Sequence, residues 1–514
     1  MQITHTLVKL AAALVCLCAV ALTGCHIEHM NAYQGAGEFE WSHGPRTVVL
    51  KMLGQVDIAE DDHDVTGISP DGYLLIQESL LLDSKAVEFA RRPDGSVGRR
   101  FLVGGKEEPL DQDAKAWIAR MLPEVIRRTG LNAEQRAARI LERQGLDGLL
   151  DEVRGIPSDS TRIRYLEQAA HDETLAPDQF NRLARAIGVS IGSDSRKADL
   201  LESLAPRDGE IESFRALLDA AETIGSDSQK ARLLQSWIER YGDSPERLSL
   251  IFGATRTIGS DSNKAATLRQ AVPFGPLDDA FFAAVESIGS DHEKSGVLRE
   301  AARRQGQDAA VLARVLSSTK SIGSDSEKEA VLVEAAQQLV AGDASTQAYF
   351  DATDRIGSQS HRSRALLAVA QRLGTDLPGV ARFFAAVGRL DSDGTKAEAL
   401  TRSLDLYSED AQVRTAFFTA VDRIHSSGNA ANVLTAVSRR NGVGKLTWVS
   451  IIESAERLDS DSAKQEVLTA LARLAGDDRE LSGRIRRAAK TIHSDSALRA
   501  VLSELDRSEP AAEE

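Results

Sequence analysis

A short motif recurs along most of the chain at a nearly constant interval. Gly-Ser-Asp-Ser occurs at 192–195, 225–228, 259–262 and 323–326, and its variants fall in the same frame. The first serine of the frame stands at 158, 193, 226, 260, 290, 324, 358, 392, 426, 460 and 494, and most steps are of 34 residues. Such a period is typical of stacked units that contact only their neighbours. The sequence therefore predicts a mainly α fold, an α-solenoid of about eleven helical hairpins.

Apolar residues on both sides of the motif have helical spacing. Upstream, Phe281, Phe282 and Val285 form one stripe, and downstream Leu234 and Trp237 belong to another. These offsets place the side chains on one face of a helix, so each repeat is predicted to contain two helices. The 34-residue period equals that of tetratricopeptide repeats, but their tryptophan, glycine, tyrosine and proline pattern is absent. The pattern therefore leaves HEAT-like and TPR-like hairpins both open.

The motif itself has the composition of a turn between two helices. Glycine after the last apolar residue suits a helix C-cap with positive φ, and serine suits the next N-cap. Ser226, Ser290 and Ser324 have capping-box spacing, Asp in the first turn complements the helix dipole, and Lys three residues later can pair with it. The turn residues predicted in this way are Ser193, Asp194, Ser226, Asp227, Ser260, Asp261, Ser290, Asp291, Ser324, Asp325, Ser460, Asp461, Ser494 and Asp495.

The repeated Ser-Asp also admits a functional interpretation, a row of carboxylates that binds cations or a ligand. We favour helix capping or a ladder between repeats, because every repeat needs a cap whereas a binding group is rarely needed eleven times. Gln359 and Ser427 replace the aspartate in two copies, so a carboxylate row would be interrupted.

The first residues have the features of an export signal. Lys9 precedes an apolar run over 10–22, which is too short to cross a bilayer, and Leu22-Thr23-Gly24-Cys25 follows. These last four residues resemble the lipobox of bacterial lipoproteins, in which the cysteine is acylated and becomes the new N-terminus. An ordinary signal peptide with a chance cysteine, or an N-terminal anchor, is the alternative. His26 stands where inner-membrane lipoproteins often have Asp, which favours the outer membrane facing the periplasm.

Composition and turn signals divide the whole chain into segments. We predict a signal peptide over 1–24, a lipid-anchored tether over 25–44, a small β-rich domain over 45–110, connecting helices over 111–150, repeats over 151–507 and a disordered tail over 508–514. Turn signals at Pro70-Asp71-Gly72 and Pro93-Asp94-Gly95 separate the β-prone runs.

The combination of a small β unit, a helix and hairpins turning on Ser-Asp-x-x-Lys resembles a known arrangement. It is similar to the region outside the membrane in sensors of the β-lactamase-regulator metallopeptidase family, and the resemblance covers most of residues 45 to 507. It implies a sensory or regulatory role. The peptidase activity does not carry over, because the His-Glu-x-x-His motif of that family is absent from this sequence.

Charge and cysteine content narrow the expected partners. The formal net charge of −15 argues against nucleic acid. Removal of the signal peptide would leave Cys25 as the only cysteine, so we expect no disulfide, no cysteine metal site and no cysteine nucleophile. We also expect no other metal site and no cofactor. We expect a non-catalytic envelope protein that binds a protein or peptide and contacts the bilayer through Cys25. The alternatives are a sensory subunit and, remotely, an enzyme with a site on the β-rich segment.

Overall fold

The computed structural model describes residues 29–33, 36–81, 83–171, 175–205, 210–342, 344–476 and 478–508. The predicted signal peptide, Cys25 and residues 509–514 of the predicted tail lie outside these ranges. The chain forms two compact units, Met1–Leu233 and Leu234–Glu514. Within the described ranges, no helix combines the length and the apolar character needed to cross a bilayer.

The N-terminal part of the first unit is an antiparallel sheet of seven strands in the order β1-β2-β3-β6-β7-β8-β9, with a separate β4-β5 hairpin. The strands are β1 His29–Tyr33, β2 Ala36–His43, β3 Arg46–Leu53, β4 Val56–Ile58, β5 Val65–Ile68, β6 Tyr73–Leu80, β7 Asp83–Arg91, β8 Val97–Val103 and β9 Lys106–Glu108. Burial alternates along the central strands, as at Val48 and Leu50 of β3, so one face of the sheet is buried.

A long helix covers that buried face. It spans Gln112–Thr129 and presents Trp117, Met121 and Val125 to the sheet, where they join one apolar core. Asp111 caps its first turn, and Gly130 ends it in the left-handed conformation. The helix continues through Pro123, because the core contacts on both sides of that residue outweigh the loss of one backbone hydrogen bond.

Two of the predicted boundaries are wrong. The tether expected over 25–44 contains β1 and β2, and residues 36–43 pair along their whole length with residues 46–53. Its polarity misled the prediction, because Trp41 is buried while Glu38 and Glu40 on the same strand are exposed. The repeats begin before residue 151, since the helix Ala133–Gly155 breaks at Gly145 and its second half packs as the first helix of a hairpin.

The rest of the chain is an array of helical hairpins, as the 34-residue period predicts. With the helices already described as α1 and α2, the remaining helices are α3 Asp159–Ala170, α4 Pro177–Ser190, α5 Asp194–Leu204, α6 Ile211–Glu222, α7 Asp227–Tyr241, α8 Pro245–Thr255, α9 Asp261–Ala271, α10 Asp279–Glu286, α11 Asp291–Gln305, α12 Ala309–Ser318, α13 Asp325–Ala336, α14 Ala344–Thr353, α15 Gln359–Leu373, α16 Leu377–Val387, α17 Asp393–Arg402, α18 Ala411–Asp422, α19 Ser427–Ser438, α20 Lys445–Glu456, α21 Asp461–Ala475, α22 Arg479–Ala489 and α23 Asp495–Ser508. We call the helix before each Ser-Asp turn the A helix and the helix after it the B helix.

Within each unit, A helices pack on A helices and B helices on B helices of the next hairpin. The A helices thus form one row and the B helices another, and paired aromatic residues on the A helices fill the space between these rows. Phe383 and Phe384 meet edge to face at 5.3 Å, and Phe384 meets Phe417 of the next repeat at 5.1 Å. Such contacts stabilise the array beyond the area that they bury. The fold is therefore that of a helical repeat protein preceded by a small sheet.

Candidate functional site

The Ser-Asp turns lie between the A and B helices, and each B helix begins at the repeated aspartate or at the residue that replaces it. At Ser226, Ser260, Ser290, Ser324, Ser460 and Ser494, the hydroxyl lies 3.4 Å from the backbone nitrogen three residues on. Ser193 makes no such cap, and its hydroxyl lies 3.3 Å from that of Ser195. Asp227 and Asp495 each begin a B helix.

The reciprocal half of the predicted capping box does not form at two of the three sites. The carboxylate of Glu293 accepts from Arg269 of the preceding B helix at 3.0 Å, instead of reaching back to its own turn. The carboxylate of Glu327 lies 3.2 Å from the ring of His292. A charged or polar partner on the adjacent repeat competes successfully with the backbone N–H of the N-cap residue.

The repeated aspartates connect each turn to the next one. Asp194 accepts hydrogen bonds from the backbone N–H groups of Gly225 at 3.1 Å and Ser226 at 2.7 Å. The carboxylates that make the same contact with the serine of the next turn are those of Asp159, Asp261, Asp291, Asp325, Asp393 and Asp461. These carboxylates form a ladder between repeats, one of the two structural roles that the sequence suggested.

The glycine of the turn serves a different purpose from the predicted one. Positive φ angles occur at other glycines of the described chain, and Gly289 and Gly323 are not among them. A Cβ atom built at Gly289 or Gly323 would lie 3.1 Å from a carboxylate oxygen of Asp261 or Asp291. Glycine is therefore suited to this place because it lets the carboxylate of the preceding repeat approach the backbone closely.

In two places along the array, both the aspartate and the glycine of this contact are replaced. Gln359 stands where other repeats have Asp, and its partner in the next turn is Asp391 instead of glycine. The Gln359 Oε1 atom accepts from the Asp391 N–H at 2.8 Å, and its Nε2 atom donates to the Asp391 carboxylate at 2.8 Å. Ser427 likewise replaces Asp opposite Asp459, whose N–H donates to the serine hydroxyl at 3.1 Å. A neutral acceptor thus replaces the carboxylate where a second carboxylate would face it.

Three carboxyl groups of the ladder, those of Asp261, Asp291 and Asp461, have a pKa that backbone hydrogen bonds lower. Backbone hydrogen bonds from Gly289 and Ser290 lower the pKa of Asp261, and those from Gly323 and Ser324 lower the pKa of Asp291. The pKa of Asp461 is lowered in the same way by the N–H groups of His493 and Ser494. These carboxylates are charged and engaged at neutral pH, which makes them poor candidates for a row of ligand-binding groups.

The lysine of Ser-Asp-x-x-Lys has a role that the sequence analysis missed. Lys294 is buried, and its Nζ atom donates to the backbone oxygen of Ser321, at the end of the next A helix, at 3.0 Å. Lys264, Lys396 and Lys464 donate in the same way to Ser287, Arg423 and Thr491. The predicted pairing with the aspartate is also present at Lys328 and Lys396, where the distances are 3.2 and 3.1 Å. The motifs of these four lysines therefore supply both an acceptor and a donor to the next repeat.

A cleft of about 490 Å³ lies between the sheet and the first hairpin in the first unit. Phe39, Met52 and Leu131 contribute apolar walls, and Gln55 and Arg164 are among its polar residues. Arg164 is held by two hydrogen bonds to Glu134, at 2.8 and 2.7 Å. The hydroxyl of Thr161 in the wall is buried and has no hydrogen-bond partner within the described part of the chain. The cleft could hold a small ligand of mixed polarity.

A cluster of charges next to this cleft joins the sheet to the helices. Arg136 donates to Asp62 in the β4-β5 turn at 2.5 Å, to Glu152 at 2.6 Å and to Tyr165 at 2.9 Å. Burial alone would raise the pKa of Glu152, but hydrogen bonds from Arg127 and Arg136 outweigh it and lower this pKa to about 2. The cluster fixes the position of the β4-β5 hairpin against the first hairpin of helices.

A shallow groove of about 710 Å³ runs between two neighbouring A helices, Leu377–Val387 and Ala411–Asp422. Its lining residues are mostly small and are Pro378, Ala381, Arg382, Ala385, Ala411, Gln412, Thr415 and Ala416. The two helices approach closely at Gly388, where an added Cβ would lie 3.1 Å from the Cβ atom of Ala420. The groove is mainly apolar and open to solvent, and its small side chains leave room for a protruding chain of a partner.

In the part of the chain that the structure describes, no three His, Cys, Asp or Glu side chains converge to hold a metal ion.

Comparisons with known proteins place the chain near no characterised family. No family model matches it. No curated protein matches it either. One solved structure to which it is similar is described as a "Circular tandem repeat protein with novel repeat topology and enhanced subunit contact surfaces". The match covers 77% of this chain and 88% of that chain at 17% identity, with a TM-score of 0.16. At that score the likeness carries no argument about geometry or function.

Proposed function

We propose that this chain is a non-catalytic, lipid-anchored protein of the bacterial cell envelope whose helical repeats bind a protein or peptide. The observation that carries the proposal is the groove between the A helices Leu377–Val387 and Ala411–Asp422. The turn aspartates and lysines are occupied by contacts between repeats, whereas the groove is open to solvent and lined by exposed or half-buried side chains. Helical repeat proteins use extended helix surfaces of this kind for recognition.

The chemistry of the groove favours an apolar segment of a partner chain. Ala381, Ala385 and Ala416 present methyl groups, while Arg382 and Gln412 offer hydrogen-bond donors beside them. An amphipathic helix laid in such a groove would bury its apolar face and leave its polar face in water. We therefore expect a helical or extended peptide segment, and not a small metabolite, at this place.

In-cell photo-crosslinking tests this assignment. A photo-reactive amino acid is placed at Thr415, which lines the groove, and in a second protein at Thr401 on the adjacent B helix; both threonines are exposed. We expect a discrete crosslinked partner from position 415 and none of comparable yield from position 401. Equal crosslinking at both positions, or none at position 415 while other helix positions react, would overturn the groove as the binding surface.

Anchoring rests on the lipobox-like Leu22-Thr23-Gly24-Cys25 after a short apolar run. Acyl chains on Cys25 would hold the protein at a membrane, and two or more chains are enough for stable attachment. His26 supports placement in the outer membrane, facing the periplasm. Mass spectrometry of the mature protein should find Cys25 at the N-terminus with the added mass of its acyl groups. A free, unmodified N-terminus downstream of Cys25 would disprove the anchor.

A sensory or regulatory subunit is the second candidate, and the cleft of the first unit favours it. One wall contains Gln55 and Val56, at the start of the β4-β5 hairpin. The other contains Asn132 and Thr161, from the helical part of the unit. A ligand there would touch both parts and could bias their contact. The identity of the partner captured by photo-crosslinking separates the two candidates. A sensory subunit should crosslink reproducibly to a signalling protein, whereas a scaffold should crosslink to an envelope protein that has no signalling role.

A further inference from the structure

One end of the sheet exposes apolar side chains that the fold does not use. The β6-β7 turn follows Leu80, which pairs with Asp83, so that only residues 81 and 82 lie between the two strands. Leu80 is 48% exposed and Leu81 is 81% exposed. The β8-β9 turn begins at Val103, which is 40% exposed and lies at the same end, because Val103 pairs with Lys85 and Gly104 donates to the Ser84 backbone oxygen.

Leu81 also has an unfavourable backbone conformation. Its φ is 55°, in the left-handed region that disfavours side chains other than those of Gly, Asn and Asp. Two-residue hairpins commonly meet this requirement with Asn-Gly or Asp-Gly. A leucine here gains no burial in the described structure in exchange for the strain. Such a combination points to a role of the side chain outside the fold.

The strand that follows the proposed anchor in the sequence begins toward the same end. Strand β1 begins at His29, which pairs with Glu40, three residues before His43 at the β2-β3 turn. That turn lies beside Leu80, because Arg46 pairs with both His43 and Leu80. Three strand residues cover about 10 Å, and the four residues from Cys25 to His29 can span at most about 14 Å. A lipid on Cys25 can therefore reach the level of the leucine turn.

We infer that this end of the sheet, formed by Leu80, Leu81 and Val103, inserts into the surface of the membrane that holds the lipid anchor. The inference rests on the proposed acylation of Cys25. The charges nearby favour no particular headgroup, since exposed Lys85 and Lys106 are accompanied by exposed Asp83 and Glu107. The apolar boundary of the bilayer, and not an anionic lipid, is then the feature recognised.

Depth-sensitive labelling of the mature, lipidated protein tests this inference. Single cysteines at Leu81 and Val103 carry an environment-sensitive fluorophore, and Leu53→Cys is the matched control. Leu53 is 40% exposed like Val103 but pairs with Tyr73, at the opposite end of the sheet. In phosphatidylethanolamine vesicles with acyl-chain quenchers, we expect labels at 81 and 103 to be quenched severalfold more than the label at 53. Added phosphatidylglycerol should not change this ratio.

A second variant removes an exposed apolar side chain without disturbing the hairpin. Leu81→Asn suits the left-handed conformation, so the hairpin should persist while one inserted side chain is lost. Transfer of one leucine side chain changes a partition constant by roughly 10- to 100-fold, so Leu80→Ser with Leu81→Asn should markedly reduce quenching at position 103.

The two proposals fail in distinguishable ways. Protein that does not float with the vesicles would overturn both the anchor and the inserted edge. Protein that floats, but whose labels at 81 and 53 are quenched equally, would overturn the edge alone.

Discussion

The Oδ2 atom of Asp291 lies 2.7 Å from the backbone nitrogen of Ser324, the residue that follows Gly323 in the next turn. The motif is thus bonded to its own copy one repeat later. The carboxylate of one repeat accepts hydrogen bonds from backbone N–H groups in the turn of the next repeat. The local geometry of that turn therefore depends on the preceding repeat. This explains how exposed, polar turns can contribute to the packing of an array whose apolar core lies between the helices.

Replacement of Asp291 by alanine should destabilise the array locally. The loss of hydrogen bonds to the N–H groups of Gly323 and Ser324 should cost about 1 kcal/mol, the usual effect of losing a cap. Hydrogen exchange should rise at these two amides while distant repeats keep their protection, because repeats contact only their neighbours. Asp219→Ala, on the outer face of an A helix, is the control, since that residue is exposed. Equal losses in the two variants would contradict the ladder.

Replacement of Lys294 by methionine tests the hydrogen bond that the motif lysine donates to the next repeat. Methionine keeps most of the apolar stem but leaves the backbone oxygen of Ser321 without its donor, at a cost of roughly 1–3 kcal/mol in unfolding free energy. Lys320→Met is the matched control, because Lys320 is 61% exposed and makes only a surface pair at 3.8 Å. Its effect should stay below about 0.5 kcal/mol in the same denaturant titration. A harmless Lys294→Met would show that the buried lysine contributes nothing to the array.

The charge pattern of the ladder can be tested by substitution at Gln359. Gln359→Asp would place a second carboxylate opposite Asp391 and should destabilise the protein by roughly 0.5 kcal/mol at neutral pH. Asp391→Gly in the same chain should restore stability, since it recreates the Asp-to-Gly contact of the other repeats. A double-mutant cycle measures the coupling. Additive effects would mean that the two positions vary independently.

The charge cluster of the first unit should make stability depend on pH. Glu152 has a folded pKa of about 2 against an ordinary value of 4.5. Because the folded pKa is depressed, this contribution is complete above pH 4.5 and is lost as the pH falls toward 2. Glu152→Gln should lower stability by about 3 kcal/mol at pH 7 and flatten this part of the pH profile. Thermal unfolding between pH 2 and 7 provides the measurement, and an unchanged slope in the variant would contradict the assignment.

Much of the fold was predictable because the repeats are local. The spacing of Phe281, Phe282 and Val285 predicts a helix face, and the period of the Ser-Asp motif predicts the number of hairpins. The β-rich domain that contains Val48 and Leu74 was predicted, since β-prone runs are separated there by clear turn signals. Strands β1 and β2 were missed, because their sequences are polar and they are specified mainly by pairing, β1 with β2 and β2 with β3.

The candidate sites were much less predictable. Sequence showed that Asp and Lys recur three residues apart, and this suggested pairing within one helix. The structure shows that Asp291 and Lys294 both reach the next repeat, because the two side chains leave the first turn toward the adjacent A–B junction. The sequence contains the complementary substitutions at Gln359 and Asp391, but their meaning appears only when residues 32 apart are seen in contact.

The amino-acid sequence by itself determined the helices, the repeat and the turn positions, because these depend on interactions between residues close together in the chain. Only the tertiary structure decided which turn each aspartate caps, where the lysine ammonium groups are buried and which surfaces stay open. Those outcomes depend on the distance between neighbouring hairpins. The side-chain sizes at Gly388 and Ala420 permit the close approach of two A helices, and the groove beside them exists only once both helices have packed.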